Sequence, residues 1–159
     1  MEYVFVDFIR DGEIAVARGC TEVEIVSTYE SRVVSRHEIP EPAMAVWCFP
    51  SSDRIVIGGY NDILFFRFTD WTLLRRVEVY SDSKAHAAPV FAIIAGMPMA
   101  GNAIEVYNAV TGNRLVRVRE RSGKLRGWIS LALAADAKAV AATREKNVAF
   151  FARGKAVTE

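Results

Sequence analysis

Residue types that often carry chemistry are scarce in this chain of 159 residues, which has two cysteines and two histidines. A structural zinc site needs about four Cys or His ligands and a catalytic one about three, so we expect neither a metal nor a cofactor. Cys20 and Cys48 lack redox or metal spacing and could form at most one disulfide. We interpret them as buried free thiols, which indicates a cytoplasmic protein.

Long hydrophobic runs are also missing. No apolar segment approaches the roughly 18 residues that a membrane-spanning helix needs. Acidic residues interrupt residues 1–7, and no basic segment precedes them, unlike in a signal peptide. With 52% hydrophobic and 25% charged residues the composition is that of a globular protein. The sequence therefore predicts a globular protein that does not associate with a membrane.

Sequence signatures of catalysis are absent as well. The chain has no nucleophile elbow, Walker loop, His-Glu-x-x-His or Cys-x-x-Cys motif. The paired glycines of residues 96–101 lack the Lys-Ser/Thr that phosphate binding would need, and we interpret this segment as a connection between strands. We predict no catalytic residue and expect that the protein is not an enzyme.

The chain does contain an internal repeat. Four short segments rich in β-branched and aromatic residues begin 40, 41 and 44 residues apart, at 23–26, 63–66, 104–107 and 148–151. Such segments suit buried strands. Two further apolar segments, separated by turn-forming residues, precede three of the four. A more polar, alternating segment follows the first three.

Four antiparallel strands in about 40 residues are the pattern of a propeller blade. We therefore predict an all-β, β-propeller-like fold with about four four-stranded blades, forming a single domain with approximate blades 1–41, 42–82, 83–123 and 124–159. The third of these blades has room for only about three good strands between His86 and Tyr107. A β-sandwich or a small β-barrel is the alternative, because both also have short strands at regular spacing.

Two places resemble the WD40-repeat family of propellers. Residues 57–63, Ile-Gly-Gly-Tyr-Asn-Asp-Ile, are similar to the turn in which that family has an Asp before the third strand. His86, followed by Ala-Ala-Pro-Val, is similar to the family's His-led entry into a blade, and residues 104–108 followed by Thr111-Gly112 are similar to its strand end. No Trp-Asp pair and no Gly-His pair occurs at these places. The resemblance implies a WD40-like, non-catalytic scaffold for protein–protein or macromolecular assembly.

The basic segment 114–126 contains the first group of candidate binding residues. Every second residue of an extended strand points to the same face, so Arg117, Arg119 and Arg121 would share one face. Such a row could bind phosphate groups or an acidic protein surface. It could also only prevent edge-to-edge pairing of an outermost strand, which is the interpretation that we favour. The candidates in this segment are Arg117, Arg119, Arg121, Lys124 and Arg126.

A second group of candidates lies near the predicted turns. Asp62 either stabilises a turn, which we favour, or faces a partner. Trp71 follows Asp70 at a turn and could be a rim residue. We place two histidines between a last strand and the next blade, where the WD40 resemblance implies a hydrogen bond that braces the blade. The candidates of this group are Tyr60, Asp62, Trp71, His37 and His86.

Charge is distributed unevenly although the net charge is +1. Residues 1–50 carry nine acids and four bases, whereas residues 111–159 carry four acids and eleven bases. WD40 rings usually hold about seven blades, so four blades would leave apolar faces exposed. We therefore expect a homodimer in which the N-terminal blade of each chain meets the C-terminal blade of the other. A different protein that supplies blades, or a longer parent propeller, is the alternative.

Two other functions are compatible with the predicted fold. A small-molecule-binding or hydrolytic propeller would have its site in the central channel and would need several convergent acids or histidines, of which the sequence has too few. A nucleic-acid-associated protein would use segment 114–126, which lacks the aromatic residues that stack on bases. Binding to protein partners is therefore the function that we favour.

Overall fold

The computed structural model describes residues 4–18, 21–59, 61–78, 81–87, 90–95, 103–119, 130–134, 139–144, 147–152 and 155–157. Within these residues the chain forms sixteen β-strands and one short 3-10 helix, Pro50–Ser52. No helix in this part of the chain is long and apolar enough to cross a membrane.

The strands form four separate four-stranded sheets, each built from four consecutive strands that pair antiparallel. Sheet 1 contains β1 (Phe5–Arg10), β2 (Glu13–Ala17), β3 (Glu22–Ser27) and β4 (Arg32–Glu38). Sheet 2 contains β5 (Ala45–Phe49), β6 (Arg54–Gly58), β7 (Asp62–Arg67) and β8 (Leu73–Glu78). Sheet 3 contains β9 (Ser81–Ala87), β10 (Val90–Ala95), β11 (Ala103–Asn108) and β12 (Arg114–Arg119). Sheet 4 contains β13 (Ser130–Leu133), β14 (Ala139–Arg144), β15 (Asn147–Ala152) and β16 (Lys155–Val157).

This architecture confirms the prediction of an all-β, propeller-like fold with four four-stranded blades. The four repeated apolar segments form the third strand of each sheet, β3, β7, β11 and β15. A sandwich would distribute the strands over two facing sheets, and a barrel would close one sheet on itself. Neither alternative accounts for four sheets of four consecutive strands.

Sheet 3 corrects the expectation that its blade has only about three strands. Its first strand, β9, begins at Ser81 and reads Ser-Asp-Ser-Lys-Ala-His-Ala. The sequence analysis missed this strand because its composition is polar and carries no β-branched residue. Register with β10, in which Phe91 pairs with His86, identifies it as a full member of the sheet.

The chain divides into two compact units, Met1–Glu78 with sheets 1 and 2 and Val79–Glu159 with sheets 3 and 4. The prediction of a single domain with the four blade boundaries given above stays a prediction.

In the first unit, one face of sheet 1 packs on one face of sheet 2. Successive side chains of a strand point to opposite faces of the sheet. The core between the two sheets is therefore formed by one face of sheet 1 and one face of sheet 2. Ile39 and Ala43, from the connection between the sheets, complete it. Sheet 1 contributes Ile9, Ala15, Ala17, Val23 and Ile25, and sheet 2 contributes Val46, Cys48, Ile55, Ile57, Leu64 and Phe66.

Polar residues fix the turns of sheet 2. Asp53 follows the 3-10 helix in a left-handed conformation with φ of 53°, which Asp tolerates better than most residues. Its Oδ1 accepts hydrogen bonds from the backbone N–H of Thr69, at 2.9 Å, and from the Thr69 hydroxyl, at 2.6 Å. The β5–β6 turn is therefore tied to the β7–β8 turn.

In the second unit, the described core is centred on sheet 3. Phe91 of β10 is fully buried and stacks on Tyr107 of β11, its partner in register, with the ring centroids 5.5 Å apart. Ile104 and Val106, also of β11, are buried as well. The third strand of this sheet is therefore buried along most of its length, as the repeat predicts.

The inter-sheet core should dominate the stability of the first unit. Leu64→Ala removes a fully buried side chain from this core and should lower the free energy of unfolding by about 2–5 kcal/mol. Leu74→Ala on β8 is the matched control, because Leu74 is exposed, and should change stability by no more than about 0.5 kcal/mol. Urea unfolding of both variants checks this, and equal losses would contradict the described packing.

Candidate functional site

An acidic residue on the third strand pairs with an arginine on the fourth strand in sheet 1. Glu24 of β3 is directly opposite Arg36 of β4, and Arg36 Nε lies 3.1 Å from Glu24 Oε1. Arg18 contacts the other carboxylate oxygen at 3.2 Å. Although Glu24 is buried, its charge is therefore balanced by two guanidinium groups.

Sheet 2 has the same kind of pair, displaced along the third strand by two residues. Asp62, the first residue of β7, is 3% exposed and accepts a hydrogen bond from Arg76 Nε of β8 at 2.7 Å. This bond, together with the negative charge of Asp62, raises the pKa of Arg76. Glu41 lies beside the pair, and burial, followed by the proximity of Asp62, raises the pKa of its carboxyl group.

Sheet 3 has the most extensive of these ion pairs. Glu105 of β11 is 2% exposed and is directly opposite Arg117 of β12. Its Oε1 lies 3.0 Å from Arg117 Nε and 2.9 Å from Arg114 Nη1. Its Oε2 accepts a hydrogen bond from the Tyr107 hydroxyl at 2.6 Å. Burial, and then this bond to Glu105, raises the pKa of Tyr107.

These ion pairs attach an edge strand to the buried strand beside it. The fourth strands β4, β8 and β12 lie at the edges of their sheets, and each contributes an arginine to a buried carboxylate. Removing one partner of such a pair leaves an uncompensated buried charge. Sheet 4 has Ala149 at the register position of Glu24 and Glu105, so that position supplies no carboxylate.

This geometry places the basic candidates of segment 114–126 as follows. Arg117 lies on the edge strand β12 and is bound to Glu105. Arg119 is the last residue of β12 and shares a face with Arg117 by register. The remaining candidates, Arg121, Lys124 and Arg126, lie outside the described residues.

Glu105 is the functional residue that sequence reasoning missed. Glu24 and Glu105 are both the third residue of their strands and interrupt otherwise apolar segments, Val-Glu-Ile-Val and Ile-Glu-Val-Tyr. A charge at the same position of two repeats is the signal that could have identified the ion pairs. The arginines opposite them would then have been recognised as their partners.

The histidine candidates lie within strands, which corrects their predicted position between blades. His37 belongs to β4 and His86 to β9. The His37 ring stacks on Trp71 with the centroids 3.9 Å apart and the planes 8° from parallel, and its Nε2 lies 2.9 Å from Ser35 Oγ. Burial lowers the pKa of His37.

Trp71 and Asp62 both make contacts that the sequence did not indicate. Trp71 has a left-handed backbone with φ of 56° and packs against the core between sheets 1 and 2. The Asp62 carboxylate bonds to β8, whereas the turn before β7 is closed by its backbone carbonyl, which accepts a hydrogen bond from Gly59 N–H at 2.7 Å. The side chain is therefore bonded to the edge strand, and the turn-stabilising role that we favoured for it stays a prediction. Tyr60 lies outside the described residues.

Cys48 is a buried free thiol, as predicted, and burial raises its pKa well above the usual range for cysteine. Cys20 lies outside the described residues. Within the described part of the chain, no group of three or more His, Cys, Asp or Glu side chains could hold a metal ion.

An apolar surface lies on the face of sheet 1 that points away from sheet 2, which we call the outer face. Val4, Val6 and Phe8 alternate along and just before β1, and all three are exposed. Val6 is opposite Val16, which in turn is opposite Glu24. The outer face therefore extends from exposed apolar side chains to the ion pair between Glu24 and Arg36.

Solved structures resemble this chain over most of its length. The complex of KlAtg21 with the coiled-coil of AgAtg16 contains a chain similar to it, with a TM-score of 0.68 and 16% identity over 89% of this chain. The Cps50 (Swd1) β-propeller domain of Myceliophteria thermophila is also similar, with a TM-score of 0.71 and 8% identity over 94% of this chain. The fold is that of a β-propeller.

The likeness to these propellers extends to the fold alone, because the identities are low. The matches cover 48% and 53% of the two propeller chains, so this chain spans about half of their length. No protein-family model and no curated protein matches the sequence.

The His37–Trp71 stack should make the first unit less stable in mild acid. Since burial lowers the pKa of His37 in the folded state, the unfolded chain binds a proton first, near its ordinary value of about 6.5. Stability should therefore decrease as pH falls below about 6.5. His37→Gln should lose part of the difference in unfolding free energy between pH 8 and pH 5, and an unchanged difference would contradict this role.

Glu105 should also limit the affinity of β12 for polyanions, because it holds Arg114 and Arg117. Glu105→Gln should free these arginines, so that the folded variant elutes from heparin at higher salt. Glu38→Gln, on the edge strand of sheet 1, changes the net charge equally and should have a smaller effect. Equal shifts would show that only net charge matters.

Proposed function

We propose that the protein is a non-catalytic, WD40-like propeller scaffold that binds proteins, and that the outer face of sheet 1 is a contact surface. The observation that carries this proposal is the exposed row of Val4, Val6 and Phe8, of which Phe8 is 74% exposed. An apolar row on one face of a sheet is an unfavourable surface to leave in water. A protein partner that covers it would remove this cost.

Similar propellers support a role in assembly. The KlAtg21 propeller was solved in a complex with the coiled-coil of AgAtg16, so the fold is compatible with binding a protein. The resemblance of residues 57–63 and of His86 to WD40 repeats points to the same class of scaffold. A cytoplasmic compartment, expected from the interpretation of the cysteines as free thiols, belongs to the same proposal.

The other functions have less support from the described residues. Nucleic-acid binding through segment 114–126 would compete with Glu105 for Arg114 and Arg117. A small-molecule or hydrolytic site would need convergent polar side chains, whereas the carboxylates of Glu24, Asp62 and Glu105 are each occupied by arginine. We therefore favour protein binding, either to a second copy of the chain or to a different protein that supplies blades.

Substitution on the outer face tests this function. Val6→Ser together with Phe8→Ser should reduce the capture of protein partners by at least about tenfold. Both side chains are exposed, so the fold should be unaffected. The capture is measured with tagged protein and purified chain or cell extract, and partners are quantified by mass spectrometry.

Leu115→Ser is the matched control, because Leu115 is an exposed apolar residue on the edge strand β12. Its partner capture should remain near that of the unmodified protein. If the double variant on sheet 1 captures the same partners in the same amounts, the proposed contact surface is wrong.

A further inference from the structure

The outer face of sheet 1 corresponds, position by position, to the face of sheet 2 that is buried against sheet 1. Across sheet 2, Val46 is opposite Ile57, which is opposite Leu64. Across sheet 1, the same register positions hold Val6, Val16 and Glu24. In the neighbouring row, Cys48, Ile55 and Phe66 of sheet 2 correspond to Phe8, Ile14 and Val26 of sheet 1.

The outer face of sheet 1 and the equivalent face of sheet 2 differ in how far their first-strand side chains are exposed to solvent. Val46 and Cys48 are 5% and 7% exposed, whereas their counterparts Val6 and Phe8 are 53% and 74% exposed. The apolar pattern of an inter-sheet surface is thus present in both sheets. Sheet 1 covers the surface on sheet 2. On the outer face the open positions are those of β1, since Val16 of β2 and Glu24 of β3 are only 6% and 8% exposed.

The side chains that cover sheet 2 show what kind of surface would fit the outer face. They are Ile9 of the first strand and Ala15, Ala17, Val23 and Ile25 of the second and third strands. The last four lie on one face of sheet 1 in two rows. Ala17 is opposite Val23, and Ala15 is opposite Ile25. A fitting surface is therefore a sheet face with small residues on its second strand and larger apolar residues on its third strand.

Sheet 4 has this arrangement by register. Ala141 of β14 is opposite Ala132 of β13 and Phe150 of β15, and Thr143 is opposite Val148. Ala141 and Phe150 thus occupy the register positions of Ala15 and Ile25 in sheet 1. Thr143 and Val148 occupy those of Ala17 and Val23. Ala132 is exposed whereas its neighbour Leu131 is buried, so the face that contains Ala132 is open at β13.

The charges of the two ends of the chain also favour contact between sheet 1 and sheet 4 of different copies. Residues 1–50 have a net charge of −5 and residues 111–159 have a net charge of +7, from the counts of acidic and basic side chains. Apart from Lys155, which is opposite Ala152 and so falls on the same face by register, the residues placed on this face of sheet 4 are uncharged. Most of the attraction would therefore come from the surroundings of the apolar contact. Such complementarity increases association rates and disfavours contact between two copies of the same end.

Glu24 is compatible with burial in such a contact, although its counterpart in sheet 2 is Leu64. Glu105 has the same register position in sheet 3 and is 2% exposed while bound to Arg117 and Arg114. Glu24 likewise has two arginine partners, Arg36, at the position equivalent to Arg117, and Arg18, which follows β2. A carboxylate at this position is thus already paired before any partner covers it.

We propose that the outer face of sheet 1 docks the face of sheet 4 that contains Ala132 and Ala141, from a second copy of the chain. The contact joins two different surfaces, so a closed homodimer makes it twice. This inference rests on the proposed function, since it names the partner of the same surface. It adds the identity of that partner and the sheet through which it binds.

Cysteine trapping tests which surfaces meet. In a Cys20→Ser background, one tagged chain carries Val6→Cys and a second, differently tagged chain carries Ala132→Cys. Under mild oxidation, the mixture should form disulfides between the two kinds of chain at least about tenfold more than within either kind alone. Preferential linkage of Val6→Cys to itself would overturn the proposed arrangement.

Sedimentation measurements over a concentration series provide a second test that does not depend on disulfide geometry. The unmodified protein should have twice the 17.7 kDa mass of one chain. Phe8→Asp should weaken the dimer by at least about tenfold, whereas Leu74→Asp, an exposed substitution on β8, should not. A monomer at all concentrations, or equal effects of the two variants, would overturn the inference.

The two proposals fail in different ways. If the purified protein is monomeric but a different protein is captured through the outer face, the inference of a second copy is wrong and the scaffold function stands. If neither a second copy nor another protein depends on Val6 and Phe8, the contact surface itself is wrong.

Discussion

The packing of one four-stranded sheet on the next is the interaction on which the first unit depends. A four-stranded sheet of about 35 residues has little core of its own, and sheet 2 buries Ile55, Ile57 and Leu64 only because sheet 1 covers them. The same requirement explains why the third strands are apolar on both faces. It also explains why an uncovered face, such as the outer face of sheet 1, has consequences for assembly.

Paired charges are the main exception to the apolar composition of the third strands. Glu24, Asp62 and Glu105 are buried carboxylates, each bonded to an arginine of the adjacent edge strand. Because a buried carboxylate without a partner is strongly unfavourable, these pairs favour one register of the edge strand over a slipped one. Arg114 and Arg117, which belong to the basic segment of the sequence, thus have a structural partner inside the sheet.

The periodicity of the sequence predicted the fold, but it could not predict which individual side chains contact each other. The 40-residue spacing identified the third strand of every sheet, because burial on both faces leaves a strong apolar signal. Strand β9 was missed because its residues are polar, and its place is determined by pairing with β10. The His37–Trp71 stack joins strand β4 to the turn between β7 and β8, which are far apart in sequence, and no local pattern could indicate it. The sequence could have identified Glu105, because β3 has a glutamate, Glu24, at the same position of the strand.

The order of the strands within each sheet has a consequence for folding kinetics. Within each sheet, every strand pairs with the strand next to it in the chain, so a sheet can form by successive hairpins with short loop closures. Contacts between sheets join residues that are farther apart and become possible only after the faces exist. Folding by blade formation followed by docking is therefore the natural sequence of events, with the docking step controlling the rate. During translation, sheet 1 could leave the ribosome and form before sheet 2 is synthesised. Both faces of sheet 1 would then be exposed to solvent until sheet 2 docks.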